Sequence, residues 1–383
     1  MTFAKEYGVE NTDVLLIALA DVSRDARTLN LARVLSAAGL SVVVHAADSR
    51  TDAASDAGSG APLTVIPWSD PGGRAMRRWW SLRRSASRLQ VRPRLVIGMD
   101  LFALAAARAV ARRCNVRLLY DMRELYFALG PLGGRGLRQQ ILAWHERRML
   151  AGVDRVVVSG ELDADLVQQR FHLAQRPFVM LNTPPYRDVV TSDLRRRCGI
   201  ADDAPLAIYQ GVVHHGRGLL PTFRAMQRMP ELHLAVVGDG PAESALRQAA
   251  AELGVQQRVH WLGSVAYDRL HELTCGADVG LCLIEPLSLS YEYALPNKVF
   301  EYMMARIPAL VSDLPALREL VTRHPFGVIV DRSLPADEIV AALRQALDVQ
   351  PRAAMISACD GVRGLSYENQ SRQAVALIRE LLA

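Results

Sequence analysis

Short aliphatic or β-branched runs alternate with longer amphipathic segments from one end of the chain to the other. Strand-length runs occur at residues 14–20, 41–45, 63–66, 95–98, 116–120, 155–159 and 178–181. A second series occupies 206–210, 233–237, 259–262, 279–284, 309–312 and 327–330. Between strands, helical spacing of apolar positions fits residues 26–38, closed by Gly39, and residues 101–113, 137–151 and 161–170. Strands separated by helices in this order predict an α/β protein with parallel sheets covered on both faces. The rhythm breaks at Asn182-Thr-Pro-Pro and restarts at Leu206, and residues 368–382 read as a helix with no strand after it. Residues 48–60, rich in Ala, Ser, Asp and Gly, read as a loop.

A length of 383 residues favours two domains. The pattern divides them into a doubly wound, Rossmann-like domain over residues 1–190 and a second over 191–365. A terminal helix over 366–383 packs back towards the first. Two such domains face a central cleft, and in open α/β sheets ligands bind beyond the carboxyl ends of the strands. Chemistry is therefore expected on loops that follow strands.

Composition narrows the class. Half of the residues are hydrophobic, enough for two packed cores, which excludes extended disorder. The first residues hold no apolar stretch of signal-peptide type and no aliphatic run is long enough to span a bilayer, so the expected location is cytoplasmic. Cys114, Cys198, Cys275, Cys282 and Cys359 are odd in number, scattered and without Cys-x-x-Cys spacing. Reduced, mostly buried thiols are expected. Residues 1–190 carry 26 Lys or Arg against 18 Asp or Glu, whereas residues 191–383 carry 19 against 22. The two halves therefore face different partners. Lys5 and Lys298 are the only lysines, so abundant arginine is a compositional bias and no sign by itself of nucleic acid binding.

Tyr209-Gln-Gly-Val-Val-His-His-Gly-Arg-Gly-Leu-Leu leaves a strand and enters a helix near Pro221. Gly211, Gly216 and Gly218 permit close backbone approach, the helix start offers free N–H groups, and Arg217 adds a permanent cation that grips phosphate in two places. The bland alternative is a turn with a surface arginine. Val236-Val-Gly-Asp-Gly-Pro repeats the order of strand, turn and helix start with Gly238 and Gly240. The third glycine of a dinucleotide fingerprint is missing, which disfavours a dehydrogenase. Further on, a strand ends near Ile284, a polar loop follows, and Pro296 starts a helix that runs to Arg306. Helical spacing places Asn297 and Glu301 on one face, with Lys298 one step round. An ammonium suits a diphosphate, and a carboxylate accepts hydrogen bonds from adjacent hydroxyls such as those of a ribose.

Taken together, Pro296-Asn-Lys-Val-Phe-Glu-Tyr, the Arg217 loop, Val237-Gly-Asp-Gly-Pro, Trp261-Leu-Gly-Ser-Val and Ala277-Asp-Val resemble the second domain of family 4 glycosyltransferases of the GT-B fold, in the branch whose donor loop reads Pro-Asn-Lys-x-Phe-Glu-Tyr. In the first half, Tyr120-Asp-Met-Arg-Glu-Leu-Tyr resembles that branch's Tyr-Asp-x-His-Glu-Leu, and Asp154-Arg-Val-Val-Val-Ser and Asn182-Thr-Pro also fit. The likeness covers most of the chain and loosens before residue 115.

The resemblance implies an acceptor-binding first domain and a second domain that binds a UDP- or GDP-linked sugar. Glu301 resembles the carboxylate on the donor ribose and Arg217 the cation on the diphosphate, with Lys298, Asn297 and Pro296 beside them. Gly263, Ser264 and Val265 resemble the turn beside the nucleobase, while Gly238 and Gly240 border the nucleotide pocket. Asp121, Arg123 and Glu124 reach the cleft from the first domain. Transfer with retention of anomeric configuration is implied, by front-face attack, with neither metal nor cofactor.

Three positions depart from the family pattern. Val212 stands where a second basic residue is common, so the diphosphate leans more on Lys298. Tyr293 replaces a common glutamate, with Glu292 one step off, and Arg123 replaces the usual histidine with a cation that does not titrate. Asp163-Ala-Asp165 reads as a solvated helix start, and His214-His215 lacks a third ligand for a metal.

Residues 74–94 hold eight arginines, Trp79, Trp80 and no acid. On a helix Arg77, Trp80, Arg84 and Arg88 share a face, which suits an anionic membrane surface; a solvated helix whose tryptophans pack inward is the alternative. The expectation is a sugar transferase acting on a glycan, lipid-linked or small-molecule acceptor, peripheral on the inner face of the membrane. A sugar-nucleotide epimerase of the same fold and a non-catalytic nucleotide-sugar-binding protein are the rival readings.

Overall fold

The computed structural model describes residues 11–22, 25–48, 63–128 and 136–383, so most of the loop expected at 48–60 lies outside the described residues. Contacts within the chain group into two compact units, Met1–Leu181 with Gln370–Ala383, and Asn182–Asn369. The division falls at Asn182, ahead of the expected 190. Residues that follow it bond within the second unit: Tyr367 N donates to Pro184 O and His271 Nε2 pairs with Asp188 O at 2.8 Å.

The first unit holds β1 (Asn11–Asp21), β2 (Val42–Ala47), β3 (Thr64–Pro67), β4 (Arg92–Met99), β5 (Arg117–Asp121), β6 (Arg155–Val158) and β7 (Phe178–Val179). They form one parallel sheet in the order β3-β2-β1-β4-β5-β6-β7. Its strands read as near-continuous apolar runs because both faces are covered. Val14, Leu16, Val44, Leu95 and Ile97 share a core with Ala374, Leu377 and Ile378 of the last helix, Tyr367–Leu382. Burying Leu377 and Ile378 there stabilises the unit by roughly 2 kcal/mol each.

The second unit holds β8 (Leu206–Gln210), β9 (His233–Val237), β10 (Val259–Gly263), β11 (Val279–Cys282), β12 (Ala309–Ser312) and β13 (Gly327–Val330). All are parallel in the order β10-β9-β8-β11-β12-β13. The chain winds outward from β8 in one direction and resumes at β11 on the other side of β8. The crevice between β8 and β11 is therefore the switch point at which such sheets bind ligands. β11 ends at Cys282, earlier than expected, because Ile284 N donates to Ser312 Oγ at 2.6 Å instead of extending the ladder.

Candidate donor-binding site

Three loops at the carboxyl ends of β8, β9 and β10 lock onto one another through backbone bonds. Gly211 N donates to Val237 O at 3.0 Å, Val213 N to Asp239 O at 2.8 Å, and Gly238 N to Gly263 O at 2.8 Å. Such approach leaves no room for side chains. A Cβ on Gly238, whose φ is +138°, would collide with Gly211 O, and one on Gly240 with Val213 O. Both glycines thus shape the rim of the site by packing loop against loop. Ser264 Oγ donates to Asp239 Oδ2 at 2.7 Å, and Val265 follows half-buried.

Gly218, at φ +72°, opens the helix Leu219–Met226, where a Cβ would strike Leu283; Gly216 similarly lies against Leu287. Between them Arg217 is half-buried, its guanidinium 4.7 Å above the Tyr291 ring, which fixes a flexible cation without neutralising it. Across the switch point, Pro296 caps the helix Asn297–Met304 with no side-chain hydrogen bond to the first N–H groups. Asn297 is exposed and Lys298 half-buried. Lys298 Nζ stands 4.0 Å from the centre of the Tyr209 ring, and a Cβ on Gly211 would be 3.7 Å from it. Tyr209 is itself held by a 2.6 Å bond from its Oη to Val212 O. Burial, with the neighbouring Arg217, pushes Lys298 down to about 8. Among the described residues neither Arg217 nor Lys298 forms a salt bridge, so two cations lie close together without a carboxylate partner.

Glu301 follows one helical turn after Asn297 and is half-buried. Its Oε2 accepts from Gln210 Nε2, and Gln210 Oε1 accepts from Thr274 Oγ1 at 2.8 Å. Burial raises the Glu301 carboxyl, against the Gln210 bond and the charges of Lys298 and Arg187. Beside Glu301 lies a small crevice lined by Pro184, Pro185, Arg187, Leu270, His271 and Met304. Cations at the strand ends and a carboxylate held at its side are the groups that a diphosphate joined to a vicinal diol would call for.

In the first unit the expected residues are engaged internally. Asp121 is 1% exposed and accepts two 2.8 Å bonds from Arg27. Arg123 Nη1 donates to both Asp25 oxygens at 2.8 Å, and Nη2 donates to Thr28 Oγ1. Asp25 in turn caps the helix Ala26–Ala37. These pairs hold the loop after β5 to the start of that helix. Glu124 is exposed beside them. Asp100 caps Leu101–Cys114 at φ +103°, and burial pushes its carboxyl up to about 6.

Asp163 departs from the expected solvated helix start. It is buried, bonded by Ser159 Oγ at 3.2 Å, and raised to about 6 by that burial, while Asp165 pairs with Arg176 at the surface. His214 and His215 are exposed, and no cluster of metal-ligating side chains occurs among the described residues. All five cysteines are free thiols; Cys198, Cys282 and Cys359 are buried.

Comparison with known proteins bears on both units. Residues 25–183 match the model of the "Glycosyl transferase 4-like domain" and residues 190–358 that of "Glycosyl transferases group 1". The chain belongs to the GT-B glycosyltransferases. HepE from Anabaena, solved in complex with UDP, superposes with a TM-score of 0.72 at 16% identity over 97% of this chain and 99% of that one. Sucrose-phosphate synthase from Thermosynechococcus elongatus does so with a TM-score of 0.76 at 18% identity, over the same shares.

Among curated relatives of this glycosyltransferase is an uncharacterized glycosyltransferase of Methanocaldococcus jannaschii. It is 29% identical over 143 residues, 36% of this chain and 35% of the relative, so the match spans about a third of that relative's length. The GDP-mannose:cellobiosyl-diphosphopolyprenol alpha-mannosyltransferase of Xanthomonas campestris is 29% identical over 211 residues, 52% of this chain and 50% of that one.

Sequence reasoning missed four residues of the candidate site: Tyr209, Gln210, Thr274 and Tyr291. Gln210 carried a signal, a polar residue closing the otherwise apolar run Leu-Ala-Ile-Tyr.

Proposed function

We propose that the chain transfers a sugar from a UDP- or GDP-linked donor to a glycan or lipid-linked acceptor, with retention of configuration and without a metal ion. The observation that carries this reading is the juxtaposition of Arg217 and Lys298, neither held by a carboxylate, at the switch point, with Glu301 held by Gln210 one turn further on. Negative charge grows on the departing diphosphate during transfer, and fixed cations with the free N–H groups of a helix start stabilise it without reorganisation. Lys298 takes the larger share because Val212 occupies the place of a second cation. Glu301 accepts from the ribose hydroxyls. Among the described residues no side chain presents itself as a covalent nucleophile, which favours attack by the acceptor on the face that the diphosphate leaves.

Two sources support the donor class: HepE has been solved with UDP and with UDP-glucose, and the Xanthomonas relatives are named for GDP-mannose. The latter act on a diphosphopolyprenol, and on that ground we assign this chain a lipid-linked acceptor bound by its N-terminal unit. Work at the inner face of a membrane follows from such an acceptor. No helix among the described residues is long and apolar enough to cross a bilayer.

Release of UDP or GDP from the matching sugar nucleotide, in the presence of a polyprenyl-diphosphate-linked glycan, tests the reading. Glu301→Ala and Arg217→Ala should each reduce donor turnover by on the order of 2 to 4 kcal/mol. Near-normal turnover in both purified variants refutes the assignment. Nucleotide binding without release, across acceptors, would instead identify a binding protein.

A further inference from the structure

Two helices of the N-terminal unit turn large apolar side chains to solvent. On Ala75–Ser87 these are Met76 and Trp80, 63% and 55% exposed; on Leu137–Leu150 they are Leu137, Ile141 and Trp144, 73%, 56% and 59% exposed. The spacing is that of one stripe on each helix, at i and i+4 on the first and at i, i+4 and i+7 on the second. The two helices are joined by rings. Trp79 packs edge-on against Trp80 at 5.2 Å and against His145 at 5.7 Å, next in sequence to Trp144. Isolated exposed apolar residues need no explanation, but two tryptophans and three aliphatic side chains on adjoining helices form a patch.

The exposed charges described on these two helices are all positive. Arg77, Arg83, Arg84, Arg147 and Arg148 are exposed. Arg83 lies 5.4 Å above the Trp80 ring and Arg148 5.1 Å above that of Trp144. The sole carboxylate on either helix, Glu146, is fully buried and accepts from Tyr120 Oη at 2.9 Å. Among the described side chains of these two helices, Arg78 alone forms a salt bridge, with Asp70. The inward faces carry Leu82 and Ala86 on one helix and Ala143 and Leu150 on the other, so neither helix is turned outward for want of an inner face.

Indole rings prefer the level of lipid headgroups, where an apolar body and an N–H are both accommodated, and arginines draw the surface to anionic lipid. We propose that these two helices together form a face that docks on an anionic bilayer, with Trp80, Trp144 and Ile141 entering the headgroup region. The basic run at residues 74–94 provides half of this face, and Leu137–Leu150, which carries no such sequence signature, provides the rest. The proposal extends the reading of a lipid-linked acceptor, yet its test needs no substrate, so either can fail alone.

The test is flotation of the purified chain with phosphatidylcholine vesicles made with and without phosphatidylglycerol. Wild type should float with the anionic vesicles only, and added salt should weaken the association. The double variant Trp80→Ala/Trp144→Ala and the triple variant Arg77→Gln/Arg83→Gln/Arg84→Gln should each lower the partition coefficient at least tenfold. Both should keep the far-ultraviolet circular dichroism and the UDP or GDP affinity of wild type. Equal flotation of wild type and both variants, or none by wild type, overturns the proposal. So does sedimentation showing a dimer that only Trp80→Ala/Trp144→Ala dissolves, because a second copy then occupies the face.

Discussion

Gln210 donates from Nε2 to Oε2 of Glu301 while accepting from Thr274 Oγ1 at 2.8 Å, so three side chains from β8 and two helices form one relay. The relay commits one oxygen of Glu301, and no hydrogen bond to the other occurs among the described residues. It also favours the ionised carboxylate, against burial. Replacing Gln210 with Leu removes a hydrogen bond to a charged group, worth about 1.5 to 3 kcal/mol, and should raise donor KM by on the order of tenfold or more. Because the carboxylate is the form that accepts from hydroxyls, binding is lost as pH falls through its pKa; the variant should lose it at a higher pH than wild type. Steady-state kinetics across pH check both effects. Thr274→Val, which leaves Gln210 in place, should do less.

Lys298 is expected to set an alkaline limit on donor binding. Its pKa, lowered by burial to about 8, means that the ammonium is present below that pH and lost above it. Donor KM should therefore climb as pH passes through about 8, and Lys298→Arg, always charged, should flatten the climb. The only other lysine is Lys5, so reductive methylation with a carbon-13 label gives few signals, and a titrating resonance near pH 8 that moves upward on adding UDP or GDP is expected.

Gly238 tests the loop packing. Alanine there must adopt φ +138° and meets Gly211 O, so Gly238→Ala should destabilise the second unit by about 2 kcal/mol or more. Thermal unfolding read from a reporter in that unit, Trp261, measures it. An unchanged midpoint would show that the glycine serves only the ligand.

Glu146 gives the N-terminal unit a pH dependence. Burial pushes its carboxyl up to about 7, with the Tyr120 bond acting against it, and Oε2 has no partner among the described residues. An acid whose pKa rises on folding binds more protons when native, so its contribution weakens as pH climbs from about 4.5, the unfolded value, to about 7. Glu146→Gln should stabilise this unit at pH 8, by on the order of 2 kcal/mol, and much less at pH 5. Equal midpoints at both pH values would contradict the buried carboxyl.

Much of the scaffold was legible because strands covered on both faces stand out as apolar runs. Residues 206–210, 233–237, 309–312 and 327–330 were read with the bounds that the structure shows. The positions of Arg217, on the loop after β8, and of Lys298 and Glu301, on one helix beyond β11, were legible as well. What stayed hidden were the partners. Arg27 engages Asp121 from 94 residues earlier in the chain, and Asp25 engages Arg123 from 98 residues earlier, distances over which local pattern carries no information. The same holds for Thr274 behind Gln210 and for Trp144 beside the basic helix. Asp163 looked like a solvated charge because first-turn acids usually are; its burial depends on tertiary packing.

A crystal of the chain grown with a UDP- or GDP-sugar tests the central claim most directly. Pyrophosphate oxygens on Arg217 and Lys298 and ribose hydroxyls on Glu301, with the Gln210 bond intact, are expected. A nucleotide seated away from the β8–β11 switch point, with Glu301 facing no part of it, would overturn this donor site.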